Sequence, residues 1–390
     1  VVAPNCLPKT AWPPTFNCTN NQGSAVAIYD IGRVAQESAV TISGEAVMTN
    51  SAEGRSAYQV LSLEDIGVET PASGYGEHVG DIESSITGGT FSNDVSEYVA
   101  AGYACKESGG NYVVSELNAD NSVAQVGDEY YQTLAEAVEA IVTSESKSGT
   151  VTLLKDAQGS GIGLFNSKGA TGVDLTIDFG GHVYTCDDPA VGSAGYESQG
   201  FHLEKGNTVT LKNGTIQVAA DSTGTRMLIQ NYCDLTLEDL TLTGSDVTQY
   251  IISSNYGDMS LTNVNISGTY GNGLVAIDLM HWLNNSYRDK APTMTVDNTA
   301  ENTISGSIDV YCSENGANKV ECEVVPTLTI TGGTFSTDVN AYCPTGYAAE
   351  KDENTNTWTV VPNQGMEADV SSGADNTASA TVDGNYTGSE

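Results

Sequence analysis

Four segments decide how this chain folds: Thr208-Val-Thr-Leu-Lys-Asn-Gly-Thr-Ile216, Asp234-Leu-Thr-Leu-Glu-Asp-Leu-Thr-Leu242, Asp258-Met-Ser-Leu-Thr-Asn-Val-Asn-Ile266 and Thr327-Leu-Thr-Ile-Thr-Gly-Gly-Thr-Phe335. Each alternates apolar and polar residues, breaks at a small or polar pair, and alternates again. Alternation with period two is the mark of a strand with one buried face. Leu211, Leu237 and Leu261 hold the same place in three successive copies and recur at a nearly constant interval. Asp174-Leu-Thr-Ile-Asp-Phe-Gly-Gly-His-Val183 is an earlier copy, with Ile177 in that place, and Val40–Val47 reads as another. A strand unit that returns this steadily cannot bury its inward side chains alone and must stack on its neighbours. The pattern predicts an all-β fold, a right-handed parallel β-helix (solenoid). An antiparallel sandwich also uses short strands, but it needs hairpin turn pairs, which are few here.

A second repeat is sharper. Ile86-Thr-Gly-Gly-Thr-Phe-Ser…Gly-Tyr103 matches Ile330-Thr-Gly-Gly-Thr-Phe-Ser…Gly-Tyr347 at a constant offset of 244, with 12 of 18 positions identical. Each copy runs into a polar turn and a further strand, as expected of a repeat that closes an exposed sheet end. This predicts two modules, 1–117 and 118–362, each ending in such a cap. Between the copies, Thr133-Leu-Ala-Glu-Ala-Val-Glu-Ala-Ile-Val142 places Leu134, Val138, Ile141 and Val142 on one helical face. Thr133 and Glu136 have capping-box spacing, so one short helix over 133–142 is expected to cap the second module. Residues 363–390 read as a polar tail or an assembly strand, the latter on Thr377–Gly384.

The 390 residues carry 50 acidic and 14 basic side chains, a net charge of −36. That balance argues against nucleic acid and against docking on an anionic membrane surface. No apolar run is long enough to insert in a membrane, and no basic stretch leading into an apolar one opens the sequence. The eight cysteines form no Cys-x-x-Cys pair, and with four scattered histidines they do not spell a zinc site. Disulfides in an extracellular or cell-surface setting fit better. Cys6–Cys18 and Cys312–Cys322 are the expected local pairs, with Cys186–Cys233 suited to neighbouring coils and Cys105–Cys343 the remaining pair.

The Ile-Thr-Gly-Gly-Thr-Phe-Ser copies resemble a repeat of large surface proteins from Gram-positive gut bacteria. So do Tyr131–Val138, Thr150–Asp156 and Phe201–Leu211. The resemblance spans most of residues 82–362. It implies a right-handed parallel β-helix of pectate-lyase-like shape, in modules displayed outside the cell. It implies little about activity, because one fold hosts many functions.

Candidates for chemistry follow from that shape. Lyase chemistry on acidic polysaccharides needs clustered carboxylates to hold Ca²⁺ and a cation, usually Arg, as base. Asp187, Asp188 and Asp221 supply carboxylates, and Arg226 is the only arginine between residues 56 and 287. Hydrolases of this shape use close carboxylate pairs, for which Asp187 and Asp188 are the local candidates. No further cofactor motif is present, and Ca²⁺ is the one ion the acidic composition raises. The segment 271–292 breaks the repeat, since Leu261 stands much further from Ile330 than from Leu237. That long interval reads either as an inserted loop or as two degenerate coils. It concentrates His281, Trp282, Tyr287 and Arg288, residue types that serve a sugar-binding platform. The bland alternative is that Trp282 plugs the side of a coil. The reading as a whole leans away from catalysis. It expects an extracellular scaffold for adhesion or for self-assembly into filaments, its partner being itself or surface glycans. A polysaccharide lyase, a glycoside hydrolase or a carbohydrate-binding module is the alternative.

Overall fold

The computed structural model describes residues 15–18, 26–28, 38–51, 56–61, 82–284, 286–316, 318–363, 367–372 and 378–383. The chain is mostly β, with one α-helix among the described residues. It divides into two compact units, Val1–Ser122 with Glu129–Gln132, and Val123–Asp128 with Thr133–Glu390.

In the first unit, parallel pairs join Thr15–Cys18 to Val47–Asn50, Val26–Ile28 to Tyr58–Val60, and Ser38–Ile42 to Ile82–Ile86. Ile42, Met48, Tyr58, Ile86, Phe91 and Val114 share its core. The run ends where Gly89–Phe91 pairs antiparallel with the hairpin Tyr103–Ser108/Asn111–Glu116.

In the second unit, each repeat contributes strands to both a fourteen-stranded and a seven-stranded sheet, and from Thr208–Val218 to Thr293–Asp297 successive strands alternate between them. Within each sheet a strand pairs in parallel with its counterpart one repeat later. Val151, Ile177, Leu211, Leu237, Leu261, Val296 and Ile330 stand in one register column and are all buried. Ile162, Phe201, Ile229, Ile252 and Ile277 form the matching column of the other sheet. The long strands Thr208–Val218, Asp234–Thr243 and Asp258–Ser267 each bend at one residue with positive φ: Asn213 (59°), Asp239 (51°) and Asn263 (56°). Asn and Asp accept the left-handed region because their short side chains bond locally. Here the two asparagines also bond a side chain of the preceding repeat. Asn263 Nδ2 donates to Asp239 Oδ1 at 3.0 Å, and Asn213 Nδ2 to Asp178 Oδ1 at 3.1 Å.

The helix spans Leu134–Thr143 with both bonds of the Thr133–Glu136 capping box. Its buried face is Leu134, Ala137, Val138, Ile141 and Val142, and Ile141 sits over Gly149 at the start of the parallel run. At the far end, Gly333–Phe335 pairs antiparallel with Thr357–Pro362, which pairs with Tyr347–Asp352. Both Gly-Gly-Thr-Phe copies therefore end a parallel run in an antiparallel hairpin.

The long interval from Leu261 to Ile330 mixes the two expected readings. Leu261 pairs with Val296, and Val296 with Ile330, so one repeat intervenes instead of two. The excess length lies in the loops 283–292 and 314–326, and Thr293–Asp297 and Thr303–Ile304 bridge the strands on either side. In the tail, Glu367–Ser372 and Ala378–Asp383 pair antiparallel with each other, so the expected assembly strand is partnered within its own chain.

One cysteine expectation holds, as Cys312 and Cys322 form a disulfide. Cys186 and Cys233 are free and buried, because register sets Cys186 beside Val218 while Cys233 lies at a turn near Asn231. Cys105 and Cys343 are also free and belong to different units. Cys6–Cys18 falls outside what is described, since Cys6 and the side chain of Cys18 are not among the described parts.

Candidate functional site

Three successive turns of the second unit, each leading from the seven-stranded sheet back to the larger one, line up side by side. They contribute Lys205-Gly-Asn207, Tyr232-Cys-Asp234 and Tyr256-Gly-Asp258. The turns lie so close that a Cβ on Gly257 (φ +80°) would collide with the carbonyl of Cys233. Buried amides hold the turns from beneath. Asn207 donates to the carbonyls of Ala170 and Glu204 at 2.9 Å and accepts from Val173 N at 3.0 Å. Asn231 accepts from Cys233 N at 3.1 Å and donates to Ser254 Oγ at 3.0 Å.

The inserted loop 283–292 folds over this corner. Asn284 sets its turn, with Oδ1 accepting from Ser286 N at 2.8 Å and its carbonyl accepting from Arg288 N at 2.9 Å. The loop lays Tyr287 against three other rings. Tyr287 stacks on Tyr232 (4.7 Å between centroids, 28°) and on Trp282 (5.4 Å, 10°), and it meets Tyr256 edge-on at 5.9 Å. Lys205 Nζ sits 5.0 Å from the Tyr256 ring and 5.5 Å from the Tyr287 ring, and donates to the Ser286 carbonyl. Tyr256 OH donates to Asp289 Oδ2 at 2.9 Å. Lys290 reaches back to Asp258 (3.0 Å) and Asp234 (3.9 Å).

Beside this cluster lies a groove of about 590 Å³, lined among others by Asn166, Lys205, Tyr232, Asp234, Tyr256 and Lys290. That volume suits a small saccharide or a similar ligand. The groove gathers two of the chain's 14 basic residues in a molecule of net charge −36. Two carboxylates beside the groove are held in the charged form. Bonds from Thr293 and Lys290 hold Asp258 below the ordinary carboxylate range, and the Tyr256 hydroxyl does the same for neighbouring Asp289. Burial pushes the Tyr232 and Tyr287 hydroxyls up, so these rings stay neutral. Aromatic rings, amides and lysines set side by side make a surface suited to binding.

The expected sugar platform is thus only partly as read. Tyr287 belongs to the cluster, and Trp282 is half-buried beneath it. His281 is 3% exposed and cannot touch a ligand in the groove. Arg288 is exposed, with no ion-pair partner among the described residues. Lys205, Tyr232, Tyr256 and Lys290 were missed, although Asn231-Tyr-Cys-Asp234 and Asn255-Tyr-Gly-Asp258 repeat an Asn-Tyr-x-Asp turn 24 residues apart that could have marked the two tyrosines. Of the catalytic candidates, Asp188 is set against the turn that runs from Asp221 to Arg226. Asp188 accepts from Thr223 N at 3.2 Å and from Ser222 Oγ at 3.1 Å, which ties two neighbouring turns and lowers its pKa. Asp187 accepts from Gln158 Nε2 and from Asp188 N. Asp221 and Arg226 are exposed, and no ion pair links Arg226 to Asp187 or Asp188 among the described residues.

A polar column in the seven-stranded sheet also escaped the sequence. Register aligns His202, Gln230, Ser253, Asp278 and Asp309. Asp278 is 4% exposed, its Oδ2 accepts from Ser253 Oγ at 2.8 Å, and its Oδ1 has no partner among the described residues. Compared with known proteins, the chain matches no family model, no curated protein and no solved structure.

Proposed function

We propose that this chain is an extracellular, non-enzymatic surface scaffold built as a right-handed parallel β-helix, and that the groove beside Tyr256 holds a glycan. The observation that carries the reading is the Tyr232–Tyr287–Trp282 stack with Lys205 over its rings, opening beside a groove of about 590 Å³. Rings present apolar faces to sugars, while amides and lysines serve hydroxyls and carboxylates. Strand twist supports the handedness, since parallel crossover connections are almost always right-handed. The Cys312–Cys322 bridge and the net charge of −36 suit an exterior protein. Binding without turnover is favoured because Asp258 and Asp289, beside the groove, are held below the ordinary carboxylate range by their hydrogen-bond partners, which suits neither to donate a proton.

Screening on a glycan array, followed by calorimetry on the best saccharide, tests this. Tyr256→Ala is expected to weaken binding by about 1 kcal/mol, roughly fivefold. Lys205→Ala should weaken acidic glycans more than neutral ones. Failure to bind any saccharide, or equal binding by both variants, overturns the reading. Release of new reducing or unsaturated ends from a polysaccharide panel would replace it with an enzyme.

A further inference from the structure

We infer that His281, Cys312 and Cys322 form a redox-gated site for a borderline-soft divalent cation, Zn²⁺. Each brings a ligand atom within 4.8 Å of the others, the one such group of three among the described residues. A tetrahedral zinc ion needs its ligands roughly 3.5–4 Å apart, so small side-chain movements suffice.

The fold builds the cluster from two directions. His281 and Cys312 are register partners on the neighbouring parallel strands Val275–Trp282 and Ser307–Ser313. The chain then turns back, with Cys312 opposite Val320, and the loop that follows delivers Cys322. His281 is 3% and Cys312 2% exposed, while Cys322 is half-buried. His281 Nδ1 lies 2.7 Å from the Val324 carbonyl. Donation to that carbonyl fixes the tautomer and leaves Nε2 its lone pair, and Nε2 is buried without a partner among the described residues. A backbone carbonyl on the far nitrogen is how metal-binding imidazoles are commonly oriented. The same carbonyl lies 3.3 Å from Cys322 Sγ.

In the oxidised chain the sulfurs bond to each other and offer no thiolate. A dithiol reductant reverses this. One of its thiolates attacks the accessible Cys322 sulfur, and Cys312 leaves as thiolate. The second thiol then displaces Cys322, and the reductant closes to its own disulfide. Two electrons and two protons pass to the cysteines. Zn²⁺ then displaces both protons and binds two thiolates and the imidazole, with a fourth position left for water or a further ligand. A disulfide oxidant accepts the two electrons by the reverse exchange, leaves as the dithiol, and restores the bridge with release of the ion.

The test uses the full chain, reduced with a dithiol, desalted under anaerobic conditions and titrated with Co²⁺ and then Zn²⁺. Reduced wild type should take up one equivalent more than reduced Cys322→Ser, with a thiolate-to-cobalt absorption band that oxidised protein lacks. His281→Gln should weaken Zn²⁺ binding roughly tenfold or more. Independently of any variant, Zn²⁺ should protect Cys312 and Cys322 of the reduced wild type from alkylation, as mapped by mass spectrometry. Equal uptake by wild type and Cys322→Ser, or alkylation of both cysteines unchanged by Zn²⁺, would overturn the inference.

Discussion

Asp278 is a carboxylate where a strand pattern gives no reason to expect burial. Ser253 and the Tyr311 hydroxyl bond it, while Asp309, Lys319 and Tyr250 lie near enough to act on its charge. Burial dominates and raises its pKa above the ordinary 3.8. The folded chain therefore binds the proton more tightly than the unfolded chain. Its contribution to stability is fully present below the ordinary value and is lost as pH rises through the raised one. Asp278→Asn should remove that dependence and make the protein more stable than wild type at neutral pH. Denaturant titration across pH 3 to 8 reads both, and parallel curves for the two proteins would refute the account. The sequence hid this residue for a physical reason. Ala276-Ile-Asp-Leu-Met280 and Leu228-Ile-Gln-Asn231 do not alternate, because both faces of their strands are buried. Leu228, Ile251 and Ala276 are as buried as Ile229, Ile252 and Ile277 on the opposite face. The larger sheet has one wet face, so Asp234–Leu242 and its copies were legible as strands with their core residues named.

The bent strand is the repeating element, and its bend was visible only as a small or polar pair. What the pair does is geometric. Asn213, Asp239 and Asn263 occupy the left-handed region at equivalent places, and alternation resumes after each bend. Asn263→Ala should cost about 1–2 kcal/mol, because Cβ is unwelcome there, in addition to the lost bond to Asp239. Asn263→Gly should cost less, because glycine adopts that conformation freely. If chemical denaturation ranks glycine below alanine, the bend is not what fixes the residue. The helix at Leu134–Thr143 was readable to within a residue because two independent signals agreed, the apolar face and the capping box. Thr133→Ala should lower stability by about 1 kcal/mol, detectable as a shifted denaturation midpoint. The groove was less legible. Tyr287 was marked by the break in the repeat, but Lys205, Tyr232 and Tyr256 meet only because turns of successive repeats, distant in sequence, stack in space.

How the parallel runs terminate bears on whether the chain polymerises or displays. An open sheet edge is a template for another strand, and proteins that must stay apart blunt it with charge. In the second unit the order of the large sheet ends on Tyr347–Asp352. Its outer half is Glu350, Lys351 and Asp352, all exposed, with Lys351 held to Glu353 at 2.9 Å. In the first unit the sheet ends on Tyr103–Ser108, whose outer half carries Lys106 and Glu107. Both closing hairpins thus present charged edges, and a net charge of −36 adds repulsion between copies. The tail strand that was a candidate for joining a neighbour pairs on one side with Glu367–Ser372, in a sheet of two strands. The charged hairpin edges and the net charge weigh toward separate molecules and against a filament joined at those edges. Sedimentation at physiological salt should give a single monomeric species, with or without residues 364–390. Replacing Glu350, Lys351 and Asp352 together by Thr, Val and Thr should convert the edge into a pairing strand and produce concentration-dependent assemblies. Polymers formed by the wild type and lost on removing the tail would reverse the conclusion, placing the tail hairpin at a subunit contact and making self-assembly the primary activity.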